Sequence, residues 1–200
     1  MNRKELRVGF AFCGSFCTMS RALDALEQTA ARFGPVTPIV SQAVASTDTR
    51  FGAAHDFMRE MERICGRRVV STVAEAEPIG PKELLDVLAI CPCTGNTLAK
   101  LAHGVTDTAV TMAAKAHLRN GRPLVLALAS NDALAGGAPN LGTMFSRRNI
   151  YFVPLGQDDC VGKPASLVAD FTLLPDAIEA ACRGEQLQPV LLGPGARRAG

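Results

Sequence analysis

The segment Cys91-Pro92-Cys93-Thr94-Gly95-Asn96-Thr97-Leu98-Ala99-Lys100 joins two predicted elements at the point that decides the fold. An apolar run that is typical of a buried strand precedes it, and a helical pattern begins directly after Gly95. Thr94, Asn96 and Thr97 offer short polar side chains, and a glycine lets the backbone approach a ligand closely. Polar groups between the carboxyl end of a parallel strand and the start of a helix favour a site for an anion or a cofactor.

Strands and helices alternate on both sides of this segment. Continuous apolar runs predict strands at 7–13, 36–40, 86–91, 124–129 and 150–153, with the last of these ending the sheet. Helices are predicted at 20–33, 52–65, after Gly95, from 107 or 108 to 120, at 140–148 with Asn140 as its cap, and at 176–182. This alternation predicts an α/β fold with a mainly parallel sheet that is covered by helices on both faces.

Length and composition limit the classes to which the protein can belong. The 200 residues, of which 48% are hydrophobic, predict a single domain over residues 1–192 and a flexible tail over 193–200. The net charge is +2, and no basic block is interleaved with aromatic residues, so a nucleic-acid surface is not expected apart from the short pair Arg197-Arg198. No apolar run reaches the roughly 18 residues that span a bilayer, and the first residues lack the apolar core of a signal peptide.

The cysteines indicate a reducing compartment. There are seven, an odd number, which argues against a disulfide framework and for free thiols in a cytosol. Four of them, Cys13, Cys17, Cys91 and Cys93, lie at or just after the ends of predicted strands. Four thiolates are able to hold zinc or an iron–sulfur cluster. Their spacings are not those of common zinc pairs, and cysteine is a frequent small core residue, so no metal is expected.

A second polar turn follows the first predicted strand. Gly14 and Ser15, with Thr18 close behind, offer backbone N–H groups and two hydroxyls, which is suited to a phosphate. The alternative is an ordinary tight turn between a strand and a helix. The dinucleotide fingerprint G-x-G-x-x-G is absent, so a mononucleotide such as FMN fits the sequence better than NAD.

The first segment resembles the Pro-Ala-Ser-Ala-Asn-Thr signature of the flavin-binding decarboxylase superfamily. Pro92, Asn96 and Thr97 match it and Thr94 replaces a serine, whereas Cys93 and Gly95 depart from it. Three further segments narrow the resemblance, at 14–18, 47–52 and 149–158. Together, over roughly residues 7–191, they are similar to the B-subunit family of dipicolinate synthases, the flavoprotein-like subunits of the enzyme that makes the spore solute dipicolinate.

This resemblance implies a flavodoxin-like (Rossmann-like) three-layer domain that binds FMN. The phosphate is expected at the Gly14-Ser15 turn and at a serine after the second strand, and the ring is expected near the segment 94–97. The cofactor-binding residues that follow are Gly14, Ser15, Thr18, Ser41, Pro92, Thr94, Gly95, Asn96, Thr97 and Ser130.

The resemblance also implies a reaction and partners. The reaction is the oxidation of a dihydrodipicolinate-type ring to pyridine-2,6-dicarboxylate during sporulation, in the cytoplasm of the mother cell. The partner is the A subunit of dipicolinate synthase, which would carry an NAD(P) site. A homo-oligomer with the flavin edge near an interface between copies is expected by analogy with the superfamily.

Asn131 and Arg50 are the predicted catalytic residues. The superfamily places Pro-x-Met-Asn after the corresponding strand, where Asn131 matches and Leu128 and Ser130 replace the proline and the methionine. Alone, Asn131 is typical of a residue that caps a loop. A histidine role in the superfamily is not carried over to His55, because the residues around it do not match.

Arg50 is a candidate to bind a substrate carboxylate through its planar guanidinium. The alternative is a solvated loop arginine. A dicarboxylate needs a further cation, for which Lys100, Lys115 and Arg147 are candidates. Two other functions stay open: a stand-alone flavin enzyme, either a decarboxylase or a flavin prenyltransferase, and a non-catalytic structural protein of the complex whose flavin pocket is vestigial.

Overall fold

A computed structural model describes residues 6–193. Its strands are β1 (Val8–Phe12), β2 (Val36–Val40), β3 (Val87–Thr94), β4 (Leu124–Ser130), β5 (Ile150–Phe152), β6 (Leu155–Gly156) and β7 (Leu167–Ala169). Its α-helices are α1 (Met19–Phe33), α2 (Gln42–Ser46), α3 (Ala54–Cys65), α4 (Val73–Ala76), α5 (Gly95–His103), α6 (Ala109–Leu118), α7 (Ala138–Phe145) and α8 (Leu174–Cys182). Short 3-10 helices precede α1 and α8 and follow α4.

The strands form one sheet in the order β2-β1-β3-β4-β7-β6, and β5 also pairs with β4. The pairs of β1 with β2, β1 with β3, β3 with β4 and β4 with β5 are parallel. From β1 the chain passes outward to β2 and then crosses back to β3 on the other side of β1. The strand order therefore reverses between β1 and β3, and in a sheet of this kind ligands bind beyond the carboxyl ends of the strands at that point.

Helices cover both faces of the sheet. One layer contains α1, which packs against α3 and against α8, and the other contains α4, α6, α5 and α7. Every residue of β1 and of β4 is buried, as are all of β3 except Thr94, which explains why these strands are continuous apolar runs. The predicted α/β fold with a mainly parallel, doubly covered sheet is confirmed.

The five predicted strands are all present, but two details of the prediction were wrong. The run at 150–153 does not end the sheet, because β6 and β7 follow it and pair antiparallel with each other and, through β7, with β4. These strands have two and three residues, too few for a period-two pattern to be visible. Strand β3 also continues to Thr94, three residues beyond its predicted end.

Helix boundaries differ where a cap was misassigned. Asn140 does not cap α7, because the helix begins at Ala138 and Pro139 occupies its first turn, where the fixed φ of proline is favourable. Helices α2 and α4, of five and four residues, were not predicted. Outside the named strands, Val70 forms a single parallel bridge to Ile39.

The described residues form one hydrophobic core that runs along both faces of the sheet. The single domain over 1–192 stays a prediction, and most of the predicted tail, residues 194–200, lies outside the described range. None of the helices within residues 6–193 is long and apolar enough to cross a membrane.

Candidate functional site

A cavity of about 520 Å³ lies beyond the carboxyl ends of β1, β3 and β4, at the place where the strand order reverses. It brings together nine of the twelve predicted site residues, namely Gly14, Ser15, Thr18, Arg50, Thr94, Gly95, Asn96, Ser130 and Asn131. Ser41, Pro92 and Thr97 do not line it. The remaining lining residues are Phe16, Cys17, Phe51, Ala129, Asp132, Asp158, Lys163 and Val168.

The turn after β1 presents a hydroxyl to this cavity. The Thr18 hydroxyl donates to the Ser15 carbonyl at 2.9 Å and lies 3.0 Å from Ser15 Oγ. Thr18 has one hydroxyl hydrogen, which it donates to the Ser15 carbonyl, and both Ser15 and Thr18 line the cavity. Phe16 begins a 3-10 helix here, whose first backbone N–H groups have no partner inside the helix.

The segment after β3 starts α5. Thr94 caps this helix, accepting from Thr97 N–H at 3.2 Å and lying 3.1 Å from the Thr97 hydroxyl. Thr97 is buried, so its hydroxyl serves the cap and does not line the cavity. The exposed Asn96 and the first N–H groups of α5 are left to face a ligand, with the positive end of the helix dipole behind them.

The loop after β4 packs directly against the start of α5. A Cβ at Gly95 would lie 2.6 Å from Ser130 Oγ and 3.1 Å from Asp132 Oδ1. Ser130 Oγ in turn donates to Asp132 Oδ1 at 2.6 Å. The chain therefore needs a glycine where the superfamily signature has alanine, because the Ser130–Asp132 pair fills the space. Asn131, between these two residues, is exposed and lines the cavity.

Ser41 and Pro92 are buried. Ser41 follows β2 and precedes α2, and its N–H donates to the Phe12 carbonyl at 2.9 Å. Ser41 Oγ is fully buried and has no hydrogen-bond partner among the described residues. A buried hydroxyl without a partner costs about 1–3 kcal/mol, so this atom calls for a partner that the protein itself does not supply.

Arg50 lines the cavity on a loop between α2 and α3, with its guanidinium 4.8 Å from the Phe51 ring. The three further cations proposed from the sequence lie elsewhere. Lys100 is bonded to both oxygens of Asp107, at 2.8 and 2.9 Å. Lys115 and Arg147 line a separate cavity of about 360 Å³ beside α5 and α6, so none of the three faces Arg50.

Lys163 and Asp158 line the cavity but were not among the predicted site residues. They lie in the loop between β6 and β7, and Asp158 ends one of the four segments that carried the resemblance. Partial burial raises the pKa of Asp158, but the hydrogen bond from Ser166 and the charge of Lys163 outweigh this effect and leave the pKa below its ordinary value. Asp158 is therefore ionised at neutral pH.

Three of the four cysteines near the strand ends are core residues. Cys13, Cys91 and Cys93 are buried, and burial raises the pKa of the Cys13 thiol to about 11. Cys17 is exposed and lines the cavity. All seven cysteines of the chain are free. Within residues 6–193, no group of three or more His, Cys, Asp or Glu residues is arranged to hold a metal ion.

Comparison with known proteins assigns this architecture to a family. The model of the family named Flavoprotein matches residues 2–148, most of the chain. The chain belongs to the Flavoprotein family. It is 43% identical, over 94% of both chains, to the B subunit of dipicolinate synthase from Bacillus subtilis (strain 168). The resemblance to B subunits of dipicolinate synthase that the four segments predicted is thereby confirmed.

Solved structures agree with this family assignment. The crystal structure of the B subunit of dipicolinate synthase from Bacillus halodurans has a TM-score of 0.87, with 43% identity, covering 96% of this chain and 99% of that one. The FMN-dependent cysteine decarboxylase SpaF has a TM-score of 0.64 with 21% identity, over 88% of this chain and 97% of that one. At that identity, the likeness to SpaF shows a shared fold alone.

Proposed function

We propose that the protein is the FMN-binding B subunit of a dipicolinate synthase. The observation that carries this proposal is the cavity at the strand reversal, which joins the Ser15 turn to the start of α5. Both loops offer hydrogen-bond donors, and such a pair of loops suits a phosphate and the polar edge of a flavin. The 43% identity to the B. subtilis protein supports the same assignment.

The residues present fit this cofactor. Ser41 Oγ is a buried hydroxyl that lacks a partner among the described residues, and Ser15 lines the cavity. We assign both to the phosphate, with backbone N–H groups of the Gly14–Thr18 turn and the Thr18 hydroxyl beside them. We assign Thr94, Gly95, Asn96 and Ser130 to the ring side of the site. A vestigial pocket has no reason to keep a buried, unpaired hydroxyl such as Ser41, so this atom favours a working site over a purely structural role.

The reaction we propose is the oxidation of a dihydrodipicolinate-type ring to pyridine-2,6-dicarboxylate, in a sporulating cell. A bound flavin supplies a two-electron acceptor for such a ring. The residues of this chain bind and orient the substrate: Arg50 binds one carboxylate through its planar guanidinium, and Asn131, exposed at the cavity, contacts the reacting ring. Phe51, beside Arg50, excludes water from that side.

The proposal includes partners. The A subunit of the synthase would carry the NAD(P) site, since the dinucleotide fingerprint is missing from this chain. Activity is then expected only when both proteins are present, in the cytoplasm. We also propose a homo-oligomer, because the cavity is open on one side and a second copy would help to cover the flavin. A monomeric mass by light scattering, with FMN bound at micromolar concentration, would overturn the homo-oligomer.

The experiment that tests the FMN site is a flavin titration of a Ser15→Leu variant. A phosphate site depends on several charge-assisted hydrogen bonds of about 1.5–3 kcal/mol each, so loss of the Ser15 contact and the added bulk should weaken FMN binding by at least about a hundredfold. The matched control is Ser20→Leu, on the exposed face of α1 outside the cavity. Both variants should keep the wild-type circular dichroism spectrum. Unchanged FMN affinity in Ser15→Leu would contradict the assignment.

A further inference from the structure

The cavity holds two cationic side chains, and they come from opposite ends of the sheet. Among the described residues that line it, these are Arg50 and Lys163. Arg50 follows β2, at one edge, whereas Lys163 lies between β6 and β7, at the other edge. Strands β1, β3 and β4 lie between β2 and β7, so with about 4.8 Å between neighbours the two loops are anchored roughly 19 Å apart. Their long side chains therefore reach the cavity from opposite sides.

The backbone of the Lys163 loop is held in place. Lys163 N–H donates to the Asp159 carbonyl at 2.9 Å, and the Lys163 carbonyl accepts from Ser166 N–H at 3.0 Å. Leu134 N–H, from the loop after β4, donates to the Ala165 carbonyl at 2.9 Å. The loop is thus tied both to itself and to the cavity wall. This fixes the point from which the Lys163 side chain extends.

The Lys163 ammonium, in contrast, is held only lightly. Its single ion pair among the described residues is with Asp158, at 3.5 Å, and 55% of its side chain is exposed. Such exposed pairs stabilise a protein very little. Asp158 also accepts a hydrogen bond from the Ser166 hydroxyl at 2.8 Å through its other oxygen. Asp158 therefore stays hydrogen-bonded if Lys163 turns to another anion.

The other lysines do not have this combination. Lys100 is bonded to both oxygens of Asp107 at distances below 3 Å, and Lys115 lines a different cavity. Lys163 alone, among the described lysines, both lines the site and has a weak partner. A lysine of this kind is available to a ligand carboxylate.

We propose that Lys163 binds the second carboxylate of the substrate and makes the site specific for ring dicarboxylates; this inference rests on the proposed function. Arg50 binds one carboxylate of a planar ring and Lys163 binds the other from the opposite side. A ring with one carboxylate occupies only one of the two cations. Lys163 is thus a specificity-determining residue that acts on binding and takes no part in the oxidation itself.

The test compares two ligands by isothermal calorimetry on the FMN-loaded protein. The ligands are pyridine-2,6-dicarboxylate and pyridine-2-carboxylate, and the variants are Lys163→Met and Lys163→Arg. Lys163→Met should weaken the dicarboxylate by about ten- to a hundredfold, as expected for the loss of a charged hydrogen bond. Lys163→Met should leave the affinity for the monocarboxylate unchanged. Lys163→Arg, which keeps the charge, should bind the dicarboxylate almost as tightly as the wild-type protein. Lys115→Met, which removes the same charge outside the cavity, should change neither affinity.

The outcomes separate the two proposals. If purified wild-type protein binds no FMN, or the FMN-loaded protein binds no dicarboxylate, the proposed function fails. In a second outcome, FMN and the dicarboxylate both bind, while Lys163→Met lowers the affinity for the two carboxylate ligands equally, or lowers neither. In that case the proposed function stands and the role of Lys163 is overturned. A loss that is confined to the dicarboxylate supports the role of Lys163, because general damage to the loop would affect both ligands.

Discussion

The two ends of the parallel sheet use polar side chains in opposite ways. At the amino ends of the strands, Asp86 accepts from Arg7 at 2.7 Å and from Arg122 at 2.9 Å, and Arg122 also bonds to the Leu85 carbonyl. At the carboxyl ends, Ser41 Oγ is buried without a partner and Arg50, among the described residues, pairs with no carboxylate. Polar groups at the amino end therefore stabilise the fold, whereas those at the carboxyl end are available to a ligand.

The largest expected effect concerns Arg50, which lies at the carboxyl end and, among the described residues, pairs with no carboxylate. Truncating one partner of a charge pair in a binding site costs about 2–5 kcal/mol, so Arg50→Ala should lower kcat/KM by roughly 30- to several thousand-fold. Arg50→Lys should also impair the enzyme, because it keeps the charge but loses the planar fork. The assay is dipicolinate formation by the reconstituted A and B subunits, followed by ultraviolet absorbance.

Arg50→Ala should leave both FMN binding and the urea midpoint unchanged, since Arg50 is exposed and its side chain contacts mainly Phe51. Normal turnover by this variant would mean that Arg50 is a solvated loop residue. The dicarboxylate would then be bound by other groups, and Arg50 would no longer support a binding role for the carboxyl end of the sheet.

The opposite result is expected at the amino end. Asp86→Asn should lower the free energy of unfolding by about 2–3 kcal/mol, because two guanidinium groups lose the carboxylate that they share. The hydrogen bond from Arg7, together with the charges of Arg7 and Arg122, holds the pKa of Asp86 at about 2, so this contribution persists to acidic pH. Urea unfolding measures the change.

The control for Asp86 is Glu83→Gln. Glu83 also pairs with Arg122, at 2.9 Å, but 62% of its side chain is exposed, so the loss should stay below about 1 kcal/mol. FMN affinity should be unchanged in both variants. If Asp86→Asn weakened FMN binding while stability held, the division between a stabilising end and a binding end would be wrong.

A smaller, pH-dependent effect is expected at His117, also near the amino end. This ring is buried on α6 and its Nε2 bonds to the Pro123 carbonyl at 3.0 Å. Burial, which penalises the charged form, lowers its pKa to about 4. In the unfolded chain the pKa is about 6.5, so below that pH the unfolded state binds a proton that the native state does not, and stability falls as pH falls toward 4.

The His117 contribution should amount to about 2 kcal/mol lost between pH 6.5 and pH 5. His117→Gln keeps an N–H donor but cannot titrate, so its stability should depend less on pH over this interval. The measurement is the urea midpoint of both proteins at pH 7 and pH 5. Equal pH dependence in the two proteins would show that His117 does not account for it.

The sequence predicted the sheet and the position of the site because both depend on local patterns. Continuous apolar runs identify the parallel strands, and the polar stretches that follow them meet at one edge once the strands are parallel. Lys163 was missed for a physical reason: β6 and β7 form only through pairing with distant residues, such as Ala129 with Val168. A short strand without a periodic pattern leaves no local signal for the loop beside it.

The packing of Gly95 was equally invisible in the sequence, because Ser130 lies 35 positions away along the chain. The resemblance marked Gly95 and Ser130 as two separate departures from the superfamily signatures. In the structure they are one feature, since the Ser130 hydroxyl occupies the space that an alanine side chain would need. A residue-by-residue comparison of motifs cannot reveal a coupling of this kind.

The smallest expected effect concerns the packing of residue 95 against the Ser130 hydroxyl. It shows whether the carboxyl end of the sheet is loosely or tightly packed. Gly95→Ala introduces a Cβ at 2.6 Å from Ser130 Oγ, and overpacking of this kind costs about 1–3 kcal/mol. Replacing glycine by alanine in a helix recovers about 0.4–1 kcal/mol, so a net loss of about 1 kcal/mol is expected. In a Ser130→Ala background the contacts that remain are Asp132 Oδ1 at 3.1 Å and the Cβ of residue 130 at 3.5 Å, so the cost of the same change should become clearly smaller.

The matched control is Gly142→Ala, at a helical position of α7 where an added Cβ meets no atom within 4 Å. It should stabilise the protein by about 0.4–1 kcal/mol in either background, because only the helix propensity of the residue changes. Urea unfolding of the single and double variants gives the coupling directly. A cost of Gly95→Ala that is equal in both backgrounds would mean that the loops move apart freely. A smaller cost in the Ser130→Ala background would show that the carboxyl end is tightly packed and that its free polar groups are held in place by that packing.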